Sequence, residues 1–201
     1  LQDGNVIACA KHFPGHGDTD ADSHKSLPTV LHKRSRLDSI DLVPFNALIK
    51  NKVGAIMVAH LHVPDLDAKD SIASSLSYKI INDLLKDELG FEGLVVTDAL
   101  NMKGVSNYYS PGELDLKALM AGNDILLFSE DVPLAIHSIL TAVKDGLISE
   151  QEIEDRCKKI LSAKYKLGLH SFKPIPSQNL IEDLNNNNAK LIIDKLFESS
   201  I

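Results

Sequence analysis

Between Lys11 and His24 the chain sets three histidines, one lysine and three aspartates in fourteen residues: Lys11-His12-Phe13-Pro14-Gly15-His16-Gly17, then Asp18-Thr19-Asp20-Ala21-Asp22-Ser23-His24. Groups of these types bind protons, hydroxyls or metal ions. Gly and Pro interrupt them too often for a buried strand or a regular helix. The segment therefore predicts a loop leaving a strand, the usual location of reactive side chains on a rigid scaffold. Within it, Asp22 and His24 are two residues apart, close enough to meet in a turning loop. A carboxylate beside an imidazole favours the protonated ring, which can then donate a proton near neutral pH.

Three further groups follow short apolar runs. Asp98 ends Leu94-Val95-Val96-Thr97, where an unpaired carboxylate costs stability unless it is hydrogen-bonded or functional. It could serve chemistry or cap the segment that follows. His60 and His62 close the run Gly54 to Ala59, and Ser129-Glu130 close Asp124 to Phe128. His60, His62 and Asp98 could together form a hydrolytic metal centre, a histidine pair from one strand end with a carboxylate from another. Val63-Pro64 argues that the strand does not continue past His62. His12 and His16 are also possible ligands, although Pro14 and two glycines work against their sharing a helical face. Gly15 and Gly17 suggest a hinge. Pro14-Gly15-x-Gly17 lacks the spacing of a dinucleotide or phosphate-binding loop.

The elements that must position these groups are legible as alternating patterns. The runs Val6–Ala10, Gly54–Ala59, Gly93–Thr97 and Asp124–Phe128 are nearly continuous in hydrophobicity, as in parallel strands buried on both faces. Helical patterns cover Leu37–Asn51, Ser77–Leu89, Gly112–Ala121, Val132–Gly146 and Ser149–Leu167. The last opens on Ser149-Glu150-Gln151-Glu152, a capping box. This alternation predicts an α/β fold with a parallel sheet. The run starts at Ile7, Ala55, Leu94 and Asp124 lie 48, 39 and 30 residues apart. A (β/α)₈ barrel uses roughly 31 per unit, so the first two units need insertions, at 13–35 and 60–76. Four βα units make half a barrel; a doubly wound sheet fits the same pattern. After Leu169, Lys173-Pro174-Ile175-Pro176 reads as an extended linker. The Asn run 185–188 reads as a turn or helix start before an amphipathic segment with Leu191, Ile192, Leu196 and Phe197.

The 201 residues, 44% hydrophobic and 24% charged, can bury a sizeable core. A formal net charge of −7 argues against a nucleic-acid partner. No apolar run is long enough to span a bilayer, and no signal peptide is visible. Because the first residue is Leu and the last turn carries no stop signal, further sequence is expected at both ends. Cys9 and Cys157 are expected to be buried or half-buried free thiols.

The motifs Lys-His-Phe-Pro-Gly-His-Gly, Asp-Ser-His and Thr-Asp-Ala-Leu-Asn-Met-Lys-Gly, in that order, resemble glycoside hydrolase family 3, in its NagZ-type β-N-acetylglucosaminidase branch. The resemblance runs from about Gly4 to Leu169. It implies that 1–169 is the C-terminal half of a TIM-barrel catalytic domain. Residues 170–201 would then be a linker and the start of a following α/β sandwich domain. It further implies a retaining exo-hydrolase, without cofactor or metal, that removes terminal β-linked N-acetylglucosamine from glycans such as peptidoglycan fragments. Asp98 matches the nucleophile, His24 the acid/base and Asp22 its partner. Lys11 and His12 match residues that hold sugar hydroxyls. A β-glucosidase of the same family, the metal-dependent hydrolase and a non-catalytic glycan-binding piece remain as alternatives. The rest of the parent chain would complete the barrel, so the segment alone is expected to be inactive.

Overall fold

A computed structural model describes residues 1–19, 26–69, 71–171, 173–174 and 177–200. It divides into two units, Leu1–Leu167 and Gly168–Ile201.

In the first unit, three apolar runs form a parallel sheet of order β1-β2-β3: β1 Cys9–Phe13, β2 Ala55–Val58 and β3 Leu94–Thr97. β2 and β3 pair in uninterrupted register from Ala55↔Leu94 to Val58↔Thr97. Their starts lie so close that a Cβ on Gly93 would stand 2.6 Å from the Gly54 carbonyl oxygen, so only glycine fits there. β1 begins three residues later than the apolar run Val6–Ala10 suggested. It pairs with β2 at Cys9↔Ala55, Ala10↔Ile56 and Phe13↔Val58. Three steps on β1 thus face two on β2. The extra residue is a bulge, and it falls on Lys11-His12, which therefore lie inside the strand rather than beyond its end.

The fourth run, Asp124–Phe128, is not a strand. It lies beside β3 through one parallel bridge, Val96↔Ile125. Thr97 N–H donates to Ile125 O at 3.0 Å, and the buried Thr97 hydroxyl accepts from Leu127 N–H at 2.9 Å. The side chain thus takes a ladder position that backbone would otherwise fill, and the ladder stops. Phe128 then turns left-handed at φ 52°.

Helices cover one side of the sheet. The predicted helix over Leu37–Asn51 is broken into a turn at Arg34–Arg36, a π-wound segment at Leu37–Asp41 and a helix at Val43–Lys50. Pro44 in the first turn of that helix explains the break, because proline cannot donate to the preceding turn. Lys79–Glu88 is π-wound. Glu113–Met120, Val132–Lys144 and Glu150–Lys166 are α-helices within a residue or two of expectation. Ser149 and Glu152 form the anticipated capping box. Phe13, Leu42, Phe45, Ile56, Val58, Ile80, Ile81, Leu85 and Val95 fill the main core. Phe13 meets Phe45 edge to face at 5.2 Å.

Asp124 ties the last long helix to the sheet. Its side chain is 5% exposed and accepts from Lys159 Nζ at 2.7 Å and from Val95 N–H at 2.9 Å. Lys86 hydrogen-bonds Gly122 O at 2.7 Å and Asn82 Oδ1 at 3.0 Å, and Arg156 bonds Asn123 O. Asp124 acts electrostatically on Lys86, as do Arg156 and Lys159. Cys9 and Cys157 are free but exposed, contrary to expectation. Cys9 is the first residue of β1, and Cys157 belongs to the helix Glu150–Lys166.

In the second unit, the helices Leu180–Leu184 and Asn187–Ser199 follow one another. Asn186 caps the second by accepting from Ala189 N–H at 2.9 Å, so the asparagine run is a helix start. Leu191, Ile192, Leu196 and Phe197 are exposed. Ile175 and Pro176 of the expected linker lie outside the described residues. Among the described residues no helix is long and apolar enough to cross a membrane.

Candidate active site

Three strand ends converge on Asp98. The Asp98 backbone N–H donates to Val58 O, the last residue of β2, at 2.9 Å. Its carboxylate is 14% exposed. Oδ1 accepts from the N–H of the next residue, Ala99, at 2.9 Å. Oδ2 faces His12 Nε2 at 3.8 Å, too far for a hydrogen bond. The carboxylate caps no helix: the next one is the short Lys103–Ser106, with Met102 at its cap.

The bulge brings His12 to this point. An inserted residue bends its strand and re-aims the side chains that follow. His12 is 29% exposed on the side chain and stands edge-on to His16, with ring centroids 5.9 Å apart. Partial burial holds the His12 pKa below the ordinary histidine value. Asp98 pulls it back up, and Lys11 and His16 push it further down. His12 is therefore a neutral imidazole at neutral pH, able to donate from one ring nitrogen and accept at the other. Lys11, its neighbour in the bulge, is exposed.

Gly15 adopts φ +143°, and a Cβ there would lie 2.8 Å from Asp41 Cβ. The glycine is a close-packing requirement. Asp41 pairs with Arg36 at 2.8 Å, and Arg36 also reaches Asp18 at 3.1 Å. Asp18 in turn bonds His32 at 2.7 Å, and Thr19 Oγ1 lies 3.3 Å from His16 Nδ1. The expected hinge at Gly15–Gly17 is thus anchored on its far side by ion pairs. Asp22 and His24 lie outside the described residues. Beyond them, the loop pairs with the one that follows β2: Val30 N–H donates to His62 O and His62 N–H to Pro28 O, both at 2.8 Å.

The metal reading of His60, His62 and Asp98 does not survive the geometry. His60 is fully buried and both its ring nitrogens are engaged, Nδ1 with Ser75 Oγ at 2.7 Å and Nε2 with Ala99 O at 3.0 Å. His62 belongs to the loop bridge with Thr29, and its Nδ1 lies 3.4 Å from Ile72 O. Among the described residues no three His, Cys, Asp or Glu side chains are grouped to hold an ion. His60 was legible as a candidate only in the wrong role. Ser75 carried no signal in the sequence at all. Ser129 Oγ, at the end of the fourth run, is buried with no hydrogen-bond partner among the described residues.

Residues 1–163 match the glycosyl hydrolase family 3 N-terminal domain. A beta-hexosaminidase A from Pseudoalteromonas piscicida is 35% identical over 81% of this chain and 30% of its own length. A beta-N-acetylglucosaminidase/beta-glucosidase from Cellulomonas fimi is 28% identical over 89% of this chain and 33% of its own. Among solved structures, a glycoside hydrolase family 3 beta-N-acetylglucosaminidase from Paenibacillus sp. FPU-7 superposes with a TM-score of 0.82 at 40% identity. That likeness covers 87% of this chain and 34% of the other. The chain thus spans about a third of the length of the relatives it matches.

Proposed function

Because the chain belongs to glycosyl hydrolase family 3, we propose that its parent protein is a retaining exo-glycosidase releasing terminal β-linked N-acetylglucosamine, with Asp98 as nucleophile. The three-stranded sheet and the fourth, bridged run would be the C-terminal half of a (β/α)₈ barrel completed by the rest of that protein. Residues 170–201 would lead into its next domain. One observation carries the chemistry. Asp98 stands at the C-terminal end of β3, the end of the strands where barrel active sites lie, with one oxygen held by Ala99 N–H and the other open.

In this reading Oδ1 stays on the Ala99 N–H while Oδ2 attacks the anomeric carbon. The C1–Oδ2 bond forms as the bond from C1 to the leaving oxygen breaks, through an oxocarbenium-like transition state. His24, oriented by Asp22, gives its proton to the leaving oxygen. It then takes one from the water that attacks C1 and frees Asp98, with net retention. The assignment of Asp22 and His24 rests on their match to the family motif. Neutral His12 and the Lys11 ammonium would hydrogen-bond sugar hydroxyls. The substrate class, N-acetylglucosaminides, follows the names of the relatives; peptidoglycan fragments as the natural source rest on the motif resemblance alone. The dual name of the Cellulomonas fimi protein keeps β-glucosides as the second reading.

The test is Asp98→Asn in the full-length parent, assayed on aryl β-N-acetylglucosaminide and aryl β-glucoside side by side. The expected result is a loss of at least about 10³-fold in kcat on whichever substrate the wild type prefers. Near-normal turnover by the variant would remove Asp98 from the mechanism.

A further inference from the structure

The turn that presents Asp98 is fixed by five hydrogen bonds. Asp98 N–H donates to Val58 O at 2.9 Å, and Leu100 N–H donates to Leu127 O at 2.8 Å. Ala99 N–H donates to Asp98 Oδ1 at 2.9 Å. The Ala99 carbonyl accepts the other two, from Met102 N–H at 3.0 Å and from His60 Nε2 at 3.0 Å. Three of the five are backbone to backbone, and one is made by the carboxylate itself. His60 is the one outside side chain among the five, so it is the support that a substitution can remove.

We infer that His60 is a positioning residue for the nucleophile, the outer end of a buried strut Asn123–Ser75–His60 that holds the Asp98 turn in register. The inference rests on the proposed role of Asp98. A carbonyl oxygen only accepts, so His60 Nε2 must carry the proton. Nδ1 is then a lone pair, and the Ser75 hydroxyl, 2.7 Å away, donates to it. Ser75 is itself fixed: its N–H donates to Ala59 O at 3.1 Å, and its carbonyl accepts from Asn123 Nδ2 at 2.8 Å. Asn123 Nδ2 also donates to Ala118 O at 2.6 Å. All three side chains are fully buried. Burial also keeps the His60 pKa below the ordinary value, so the ring stays in the neutral tautomer that the strut requires. The strut joins the helix Glu113–Met120 and the loop after β2 to the turn after β3. Carboxylate geometry must hold to a fraction of an ångström for in-line attack, and a 1 Å misplacement can cost about 100-fold.

The experiment uses the full-length parent with His60→Leu, His60→Gln, Ser75→Ala and Asp98→Asn, assayed on aryl N-acetylglucosaminides of differing leaving-group acidity. Glutamine can place an amide N–H where the imidazole Nε2 stood. The expected pattern is a 10- to 100-fold fall in kcat for His60→Leu with KM within about threefold, and recovery to within about threefold of wild type for His60→Gln. The slowing should be equal for good and poor leaving groups, because the proton donor is untouched. Ser75→Ala should lower kcat about three- to tenfold by freeing the ring. Wild-type kcat in His60→Leu, or no recovery in His60→Gln, overturns the inference. If His60→Leu does not fold, wild-type kcat in Ser75→Ala overturns it. Asp98→Asn separates the two failures: an active Asp98→Asn sinks the proposed mechanism, whereas an inactive Asp98→Asn beside a normal His60→Leu sinks the strut alone.

Discussion

Replacing Asp124 with asparagine should destabilise the fold more than any surface ion pair would. The carboxylate is 5% exposed and lies 2.7 Å from Lys159 Nζ, whose side chain is 32% exposed. At that distance the gross attraction is about 6 kcal/mol at an effective dielectric of about 20. Desolvation of both ions takes back much of it. Removing one member of a well-buried pair costs about 3–5 kcal/mol, because the other is left without its counter-charge. Here Lys159 can reach water, and the asparagine oxygen can still accept from Val95 N–H, so the net loss should be about 2–4 kcal/mol. Lys86 adds to it. Burial already holds this ammonium below the usual lysine range, with Asp124 pulling it back up and Arg156 and Lys159 pushing it down. Without Asp124 three cations share one neighbourhood. Lys159→Met should cost less, about 1–2 kcal/mol, since the carboxylate keeps Val95 N–H and the other cations. The assay is urea and thermal unfolding of the parent protein carrying each change and both. Asp124→Asn should lower the melting temperature of this domain by roughly 5–15 °C. The double variant should lose less than the two singles together, and 1 M salt should leave most of the effect, because the pair is shielded from ions. A loss below about 0.5 kcal/mol for Asp124→Asn, or a larger loss for Lys159→Met, would refute this account of the cluster.

Gly15→Ala should cost about 1–3 kcal/mol and lower kcat/KM, since it combines a left-handed backbone with a Cβ 2.8 Å from Asp41. Gly17→Ala, which meets nothing within 4 Å, is the control and should stay within about 0.5 kcal/mol in the same melting assay. His12 and His60 both have folded pKa values lowered from 6.5, so the unfolded chain binds more protons below that pH. Their contribution is full above about 6.5 and is lost as pH falls through the folded values, at up to about 1.4 kcal/mol per pH unit for His60. His60→Gln should flatten the acid limb of a stability–pH curve by up to one proton, and an unchanged slope would contradict the burial argument. Ser149→Ala should remove about 1 kcal/mol by uncapping the helix Glu150–Lys166, and Ser149→Asp should restore most of it; calorimetry on the three proteins decides.

Patterning made the helices at Glu113–Met120, Val132–Lys144 and Glu150–Lys166 legible, because each has an apolar stripe and clear ends. It also located β2, β3 and the carboxylate that follows β3. It failed where side chains do backbone work. The Thr97 hydroxyl takes the bond that would have continued a fourth strand, and Pro44 splits what reads as one helix. The expected start of β1 differs because Val6, Ile7 and Ala8 are as apolar as the strand itself, while the polar pair Lys11-His12 inside the strand resembles an end. His60 shows the deeper limit. A histidine at a strand end looks the same whether it binds an ion or supports a turn, and only the residues opposite, Ser75 and Ala99, tell the two apart. They are 15 and 39 positions away, and no local pattern links them.

The bulge in β1 has a consequence for the two faces of the sheet. In a regular strand, residues three positions apart point to opposite faces. With one supernumerary residue at Lys11-His12, Ala10 and Phe13 pair with Ile56 and Val58, two apart on β2, and both join the same buried core. Deleting one residue from the bulge would restore the simple alternation and turn Phe13 away from Phe45. The same irregularity that brings an imidazole to Asp98 thus keeps an aromatic ring in the core beneath it.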